Sequence, residues 1–167
     1  MGVSGSGKTT VAHGIRDALG LVFAEADEFH SDANIAKMKK GVPLTDEDRW
    51  PWLEKLSGWM AEQAAQGRDT VIACSALRRS YRDVLRSGVP DVEFVHLDGP
   101  ADVIRERLSG RRGHYMPASL LESQVETLEP LQADETGVVL DLREPADRLV
   151  DQAVEWLGSR DRERHEG

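Results

Sequence analysis

Gly2-Val-Ser-Gly-Ser-Gly-Lys-Thr9 spells G-x-x-x-x-G-K-[ST], a phosphate-binding loop, and Thr10 follows as a second hydroxyl. Gly2, Gly5 and Gly7 let successive backbone N–H groups turn inward around a phosphate where larger side chains would clash, and Ser4 and Ser6 complete the cradle. Lys8 brings a point charge to the β- and γ-phosphates, and the Thr9 hydroxyl is suited to ligate Mg²⁺. A nucleoside triphosphate and Mg²⁺ are therefore the expected ligands; a glycine-rich turn ahead of a helix is the plain alternative. The helix is there, because Val11, Ile15, Ala18 and Leu19 share one face and Gly20 ends the run. The strand that normally feeds such a loop is not, since only Met1 precedes it. That strand is usually central and covered on both faces. Losing three or four buried aliphatic side chains would remove about 5 to 12 kcal/mol. The expectation is a native start several residues upstream, with Met1 internal.

A chain of 167 residues, 40% hydrophobic and 31% charged, is large enough for a real core. Apolar runs of strand length at Leu21 to Ala24, Thr70 to Cys74, Val92 to Leu97 and Gly137 to Leu140 alternate with helical stretches. This is the pattern of an α/β fold with a parallel sheet. Helices are predicted around Ala33 to Lys40, Trp50 to Ala65, Arg79 to Arg86, Ala101 to Leu108, Ala118 to Leu128 and Pro145 to Leu157. Pro51 suits the first turn of its helix, which then buries Trp52, Leu56, Trp59 and Met60. A single domain spans residues 1–158, and the charged tail 159–167 is expected to fray. The net charge of −9 argues against general binding to DNA or RNA. No apolar run approaches the roughly 20 residues that span a bilayer, and nothing resembles a signal peptide, so no membrane partner and a cytoplasmic location are expected. The lone Cys74 sits in an apolar run and reads as a small core residue rather than a nucleophile.

Three polar clusters narrow the chemistry. Glu25-Ala-Asp27-Glu-Phe-His30 follows the first full strand at the carboxyl edge, where ligands bind in open α/β sheets. Asp27 is suited to orient and deprotonate an attacking hydroxyl, with Asp27 or Ser31 as a helix cap the alternative. His30 offers a hydrogen bond to substrate oxygens. Lys37 to Trp52 carries Arg49, which fits bidentate pairing with a carboxylate or phosphate, beside Trp50 and Trp52, which read as packing residues. Arg105 to Pro117 holds Arg111, Arg112 and His114 among glycines, and reads as a lid over about 109–127 that supplies charge on closing. A solvated basic turn is the alternative there.

With these segments in order, the chain resembles the small P-loop gluconokinases of the thermoresistant type. The resemblance runs nearly end to end. It rests on the phosphate loop, on Asp27 with His30, on the block Asn34 to Leu53, on Cys74 to Asp83, on Leu108 to Met116 and on Gln124 to Glu129. It implies a three-layer fold of the nucleoside-monophosphate-kinase and shikimate-kinase type with five parallel strands, the first largely missing here, and a helical lid. It also implies transfer of the γ-phosphate of ATP to the 6-hydroxyl of D-gluconate, Mg²⁺, and commonly a homodimer. Carried over, Lys8, Asp27 and Arg111 would be catalytic. Thr9 and Asp27 would serve the metal, and Arg112 the nucleotide. His30, Arg49, Arg82 and His114 would hold gluconate. The chain departs from the family pattern at Glu25, where aspartate is usual, and at Ser75, where the strand ends without an acidic residue aimed at Mg²⁺. Rival readings are a related kinase for shikimate or another sugar acid, and a nucleotide-binding protein without turnover.

Overall fold

The computed structural model describes residues 1–110 and 118–167, and of Ala118 the backbone alone. Helix α1 (Lys8–Leu19) leaves the phosphate loop directly and stops at Gly20, whose left-handed backbone returns its N–H to the Arg16 carbonyl. Strand β1 (Val22–Glu25) leads through a 3-10 turn (Ala26–Phe29) into α2 (Asp32–Lys39). The next helix, α3 (Asp46–Ala65), begins four residues before the expected Trp50. Thr45 is the reason: its hydroxyl accepts from the Asp48 N–H while the Asp48 carboxylate accepts from the Thr45 N–H. Pro51 therefore lies inside the helix, not in its first turn.

Strand β2 (Thr70–Ala73), α4 (Arg79–Gly88), β3 (Phe94–Asp98), α5 (Ala101–Ser109), α6 (Ala118–Thr127), β4 (Gly137–Asp141) and α7 (Ala146–Glu166) complete the order. All pairing is parallel, β1 with β2 from Val22↔Thr70 and β3 with β4 from Phe94↔Gly137. Among the described residues these are two two-stranded sheets rather than one of five strands. Met1 and Gly2 span the gap between them. On one side the Gly2 N–H donates to the Ser75 carbonyl at 3.2 Å; on the other, Leu97 donates to the Met1 carbonyl at 3.0 Å. The leading strand is thus reduced to one residue pair in the place a central strand would take.

Helices α1 and α7 pack together, α1 against β1 and β2 and α7 against β4, while α3 and α4 form a second helical layer. Val11, Ile15, Leu53, Leu56, Leu97 and Leu142 belong to one continuous core. Cys74 is buried within it, and burial pushes its thiol up to about 11, which rules out a resting thiolate. The tail expected to fray is instead helical through Glu166. Arg164 pairs with Glu93 at 2.7 Å and Arg160 with Glu163 at 2.8 Å, on a segment whose residues 161–167 are exposed.

The most enclosed charge is Arg82, which with Glu135 has no exposed side-chain surface. Its Nε and Nη2 donate to the two Glu135 oxygens at 2.7 and 2.9 Å. The remaining guanidinium hydrogens go to the carbonyls of Ala76, Leu77, Glu129 and Pro130. Burial alone would raise the Glu135 carboxyl, but the bonds from Arg82 and the Gln132 N–H hold it below 4.5. Its stabilisation is thus complete above pH 4.5 and lost as pH falls through the lower folded value. Glu135→Ala leaves an unpaired buried guanidinium and is expected to cost about 3–5 kcal/mol in urea unfolding at pH 7, with the deficit narrowing in acid.

Candidate active site

The phosphate loop closes on itself through the Ser6 N–H to Val3 carbonyl bond at 3.2 Å. Gly5 has φ +82, and a Cβ there would meet Leu108 Cγ at 2.7 Å, so the loop can lie against α5 only as glycine. Gly7, at φ +96, caps α1 without any side-chain partner, and a Cβ there would meet nothing within 4 Å. The open space in front of the α1 N–H groups suits an anion. Lys8 Nζ donates to the Val3 carbonyl at 3.0 Å, staying at the rim of the loop. The Thr9 hydroxyl donates to Glu25 Oε2 at 2.7 Å. Burial raises the Glu25 carboxyl above its usual 4.5, against the pull of that hydroxyl. Ser6 is wholly buried and its Oγ finds no partner among the described residues; it lies 2.9 Å from where a Cβ on Gly2 would stand. Two oxygen-bearing side chains, Thr9 and Glu25, thus adjoin the glycine-rich loop, an arrangement suited to a metal–triphosphate.

Across the carboxyl edge of β1, the 3-10 turn presents Asp27 to solvent, its side chain 75% exposed, with Oδ1 3.9 Å from His30 Nε2. Asp27 does not cap α2; Ser31 does, accepting from the Asn34 N–H. His30 is buried, stacked on Trp52 with centroids 4.1 Å apart, and its Nδ1 faces Asn34 Nδ2 at 3.3 Å. Asn34 Nδ2 also donates to the Asp48 carbonyl and Trp52 Nε1 donates to the Ala26 carbonyl. The amide donor at Nδ1 leaves the proton on Nε2, aimed toward Asp27. Burial, opposed by Asp27 and aided by Arg49, keeps the imidazole below its ordinary 6.5. Arg49 donates to the Tyr81 hydroxyl at 2.8 Å and lies over that ring, while Tyr81 donates to Asp46.

The predicted residues thus separate clearly. Gly2, Ser4, Gly5, Ser6, Gly7, Lys8, Thr9 and Thr10 form the loop and the first turn of α1, and Asp27, His30 and Arg49 gather around the 3-10 turn and α3. Arg82 does not join them, because every guanidinium nitrogen is already committed inside the core. The resemblance assigned it to gluconate; the structure makes it a framework residue. Arg111, Arg112 and His114, and with them the centre of the expected lid, lie outside the described residues. Two residues enter that were not among the predicted contacts. Glu25 meets Thr9 where Asp27 was expected to serve the metal, and its departure from the family's aspartate was the signal. Gln124 of α6 accepts from the Ser4 N–H at 2.7 Å, and only its place in a matched motif marked it.

Comparison with known proteins fits this geometry. A family model described as an AAA domain matches residues 1–131. The gluconokinase of Gluconobacter oxydans is 45% identical over 96% of this chain and 90% of its own length. The chain belongs to the gluconokinase family. The crystal structure of a gluconokinase from Sinorhizobium meliloti covers 99% of this chain and 93% of that one, at 42% identity and a TM-score of 0.88. That of a sugar kinase from Janibacter, unliganded, is 63% identical with a TM-score of 0.92, covering 95% of this chain and 91% of that one.

Burial holds the His30 imidazole below 6.5 in the fold, while the unfolded chain takes up its proton near 6.5. The stability this contributes is complete above pH 6.5 and lost as pH falls toward the lower folded value. Buried His96, lowered to about 4, adds a second loss of the same sign. Urea midpoints at pH 7.5 and 5 should therefore drop in the wild type. The drop should be smaller, though not abolished, in His30→Gln.

Proposed function

We propose that this protein is an ATP-dependent gluconokinase, transferring the γ-phosphoryl group to the 6-hydroxyl of D-gluconate and releasing ADP. The observation that carries the reading is 45% identity to a curated gluconokinase over almost the whole chain, with Lys8, Thr9 and Asp27 all present. In this reading the loop N–H groups bind the triphosphate, and Lys8, anchored on the Val3 carbonyl by one N–H, turns its others to the β- and γ-oxygens. Mg²⁺, held by Thr9 with Glu25 beside it and Asp27 within reach through water, would neutralise charge on those oxygens.

On the acceptor side, Asp27 accepts the hydroxyl proton and orients the attacking oxygen. Its exposure suits this role, since an incoming hydroxyl can reach the carboxylate. His30, neutral and donating from Nε2, holds a substrate oxygen, and Arg49 meets the gluconate carboxylate. Arg111 is assigned to the γ-phosphate with Arg112 in reserve, and His114 to gluconate, on the sequence. A cytoplasmic homodimer completes the reading.

Coupled ADP release with Mg-ATP tests it against D-gluconate, shikimate, glucose and no acceptor. Release is expected with gluconate alone, and release with shikimate alone or with no acceptor dependence would overturn it. Asp27→Asn is expected to lower kcat by about 10²-fold or more with ATP affinity nearly unchanged. Wild-type turnover in that variant would remove Asp27 from the mechanism. Glu25→Gln should raise the Mg²⁺ concentration at half-maximal rate by about tenfold, read from a metal titration at saturating ATP.

A further inference from the structure

One peptide unit of the phosphate loop is held from both sides. In the trans peptide joining Val3 and Ser4, the carbonyl and the N–H point in opposite directions. The carbonyl end receives Lys8 Nζ at 3.0 Å and the Ser6 N–H at 3.2 Å. The N–H end donates to Gln124 Oε1 at 2.7 Å, across 120 residues of chain. Turning this plane would break both sets of bonds, so Gln124 fixes the direction in which the Val3 carbonyl, and with it the lysine, is presented. We propose that Gln124 is a positioning residue for phosphoryl transfer, acting on Lys8 through the Val3–Ser4 peptide.

The side chain stands on a fixed support. Leu120 and Leu121 of α6 are buried, and the helix ends with the Glu129 N–H on the Leu77 carbonyl at 2.7 Å. Arg82 then holds the Glu129 and Pro130 carbonyls, and Glu135 holds Arg82. A rigid path therefore runs from the buried ion pair through α6 to the loop that carries the transferring phosphate. Displacement of a reacting group by about 1 Å costs on the order of a hundredfold in rate, so a residue that sets a peptide plane is visible in kcat. This inference rests on the kinase reading of the same site.

The test is a double-mutant cycle on the full chain, with Gln124→Met, which keeps length and removes the acceptor, and Gln124→Leu as a second variant. Gln124→Met is expected to lower kcat by about tenfold while the KM for gluconate and the affinity for AMP-PNP by calorimetry stay within about threefold. In a Lys8→Met background the same change should cost less than about twofold, because the group it acts through is gone. Wild-type kcat in both Gln124 variants, full additivity with Lys8→Met, or about tenfold tighter AMP-PNP binding would overturn the proposal; the last would make Gln124 a stand-in for phosphate. If the wild type releases no ADP with gluconate, the proposed function fails. The cycle is then read on the slow acceptor-independent hydrolysis of ATP, where the same outcomes decide Gln124.

Discussion

A guanidinium sealed in the core is the constraint on which the other parts rest. The two parallel pairs, β1 with β2 and β3 with β4, meet only at Met1 and Gly2 among the described strands. Arg82 supplies a further tie, beside the packing of α1 on α7. It stands on α4, which follows β2 in the chain, and holds Glu129, Pro130 and Glu135, the connection that leads from α6 into β4. A buried charge is tolerable only when its hydrogens are all matched, and here a carboxylate and four carbonyls match them. The arrangement explains why Ala76 accepts φ +47, a left-handed backbone of order 1 kcal/mol for alanine. That turn brings the Ala76 and Leu77 carbonyls to Arg82.

The two sides of the proposed site are built by different means. The nucleotide side is made of backbone: loop N–H groups, a glycine cap on α1 and one lysine resting on a carbonyl. The acceptor side is made of side chains locked by each other: His30 on Trp52, Asn34 between His30 and the Asp48 carbonyl, Arg49 on Tyr81. Backbone donors suit a ligand recognised by charge, which every triphosphate shares. Interlocked side chains suit a polyhydroxylated anion whose oxygens must be told apart, because unmatched buried groups penalise a wrong acceptor strongly.

Much of the architecture was legible because it is periodic or because its glycines have no substitute. The phosphate loop, the strand positions and the helix of Trp52, Leu56 and Met60 all appear close to where the pattern placed them. What was not legible depends on partners distant in sequence. Arg82 lies among Arg78, Arg79 and Arg86, and nothing local separates it from these half-buried neighbours. A hint lies in its sharing a stripe with Tyr81 and Leu85, but the answering Glu135 is 53 residues away. The tail failed for a related reason: its charges read as solvated until Glu93 is brought beside Arg164. The early start of α3 was a local miss, since Thr45 and Asp48 form a reciprocal cap with aspartate in place of the commoner glutamate.

The same contrast bears on how this site can change. A nest of backbone N–H groups is insensitive to most side-chain replacement, so the nucleotide side is altered chiefly where a Cβ would collide, as at Gly5 against Leu108. The acceptor side has no such protection. His30 owes its tautomer to Asn34 and part of its burial to Trp52, so a change at either reaches the ring nitrogen that faces Asp27 without touching the reacting atoms. Acceptor preference is therefore the property this fold can alter most readily, while phosphate binding stays fixed by the geometry of the chain itself.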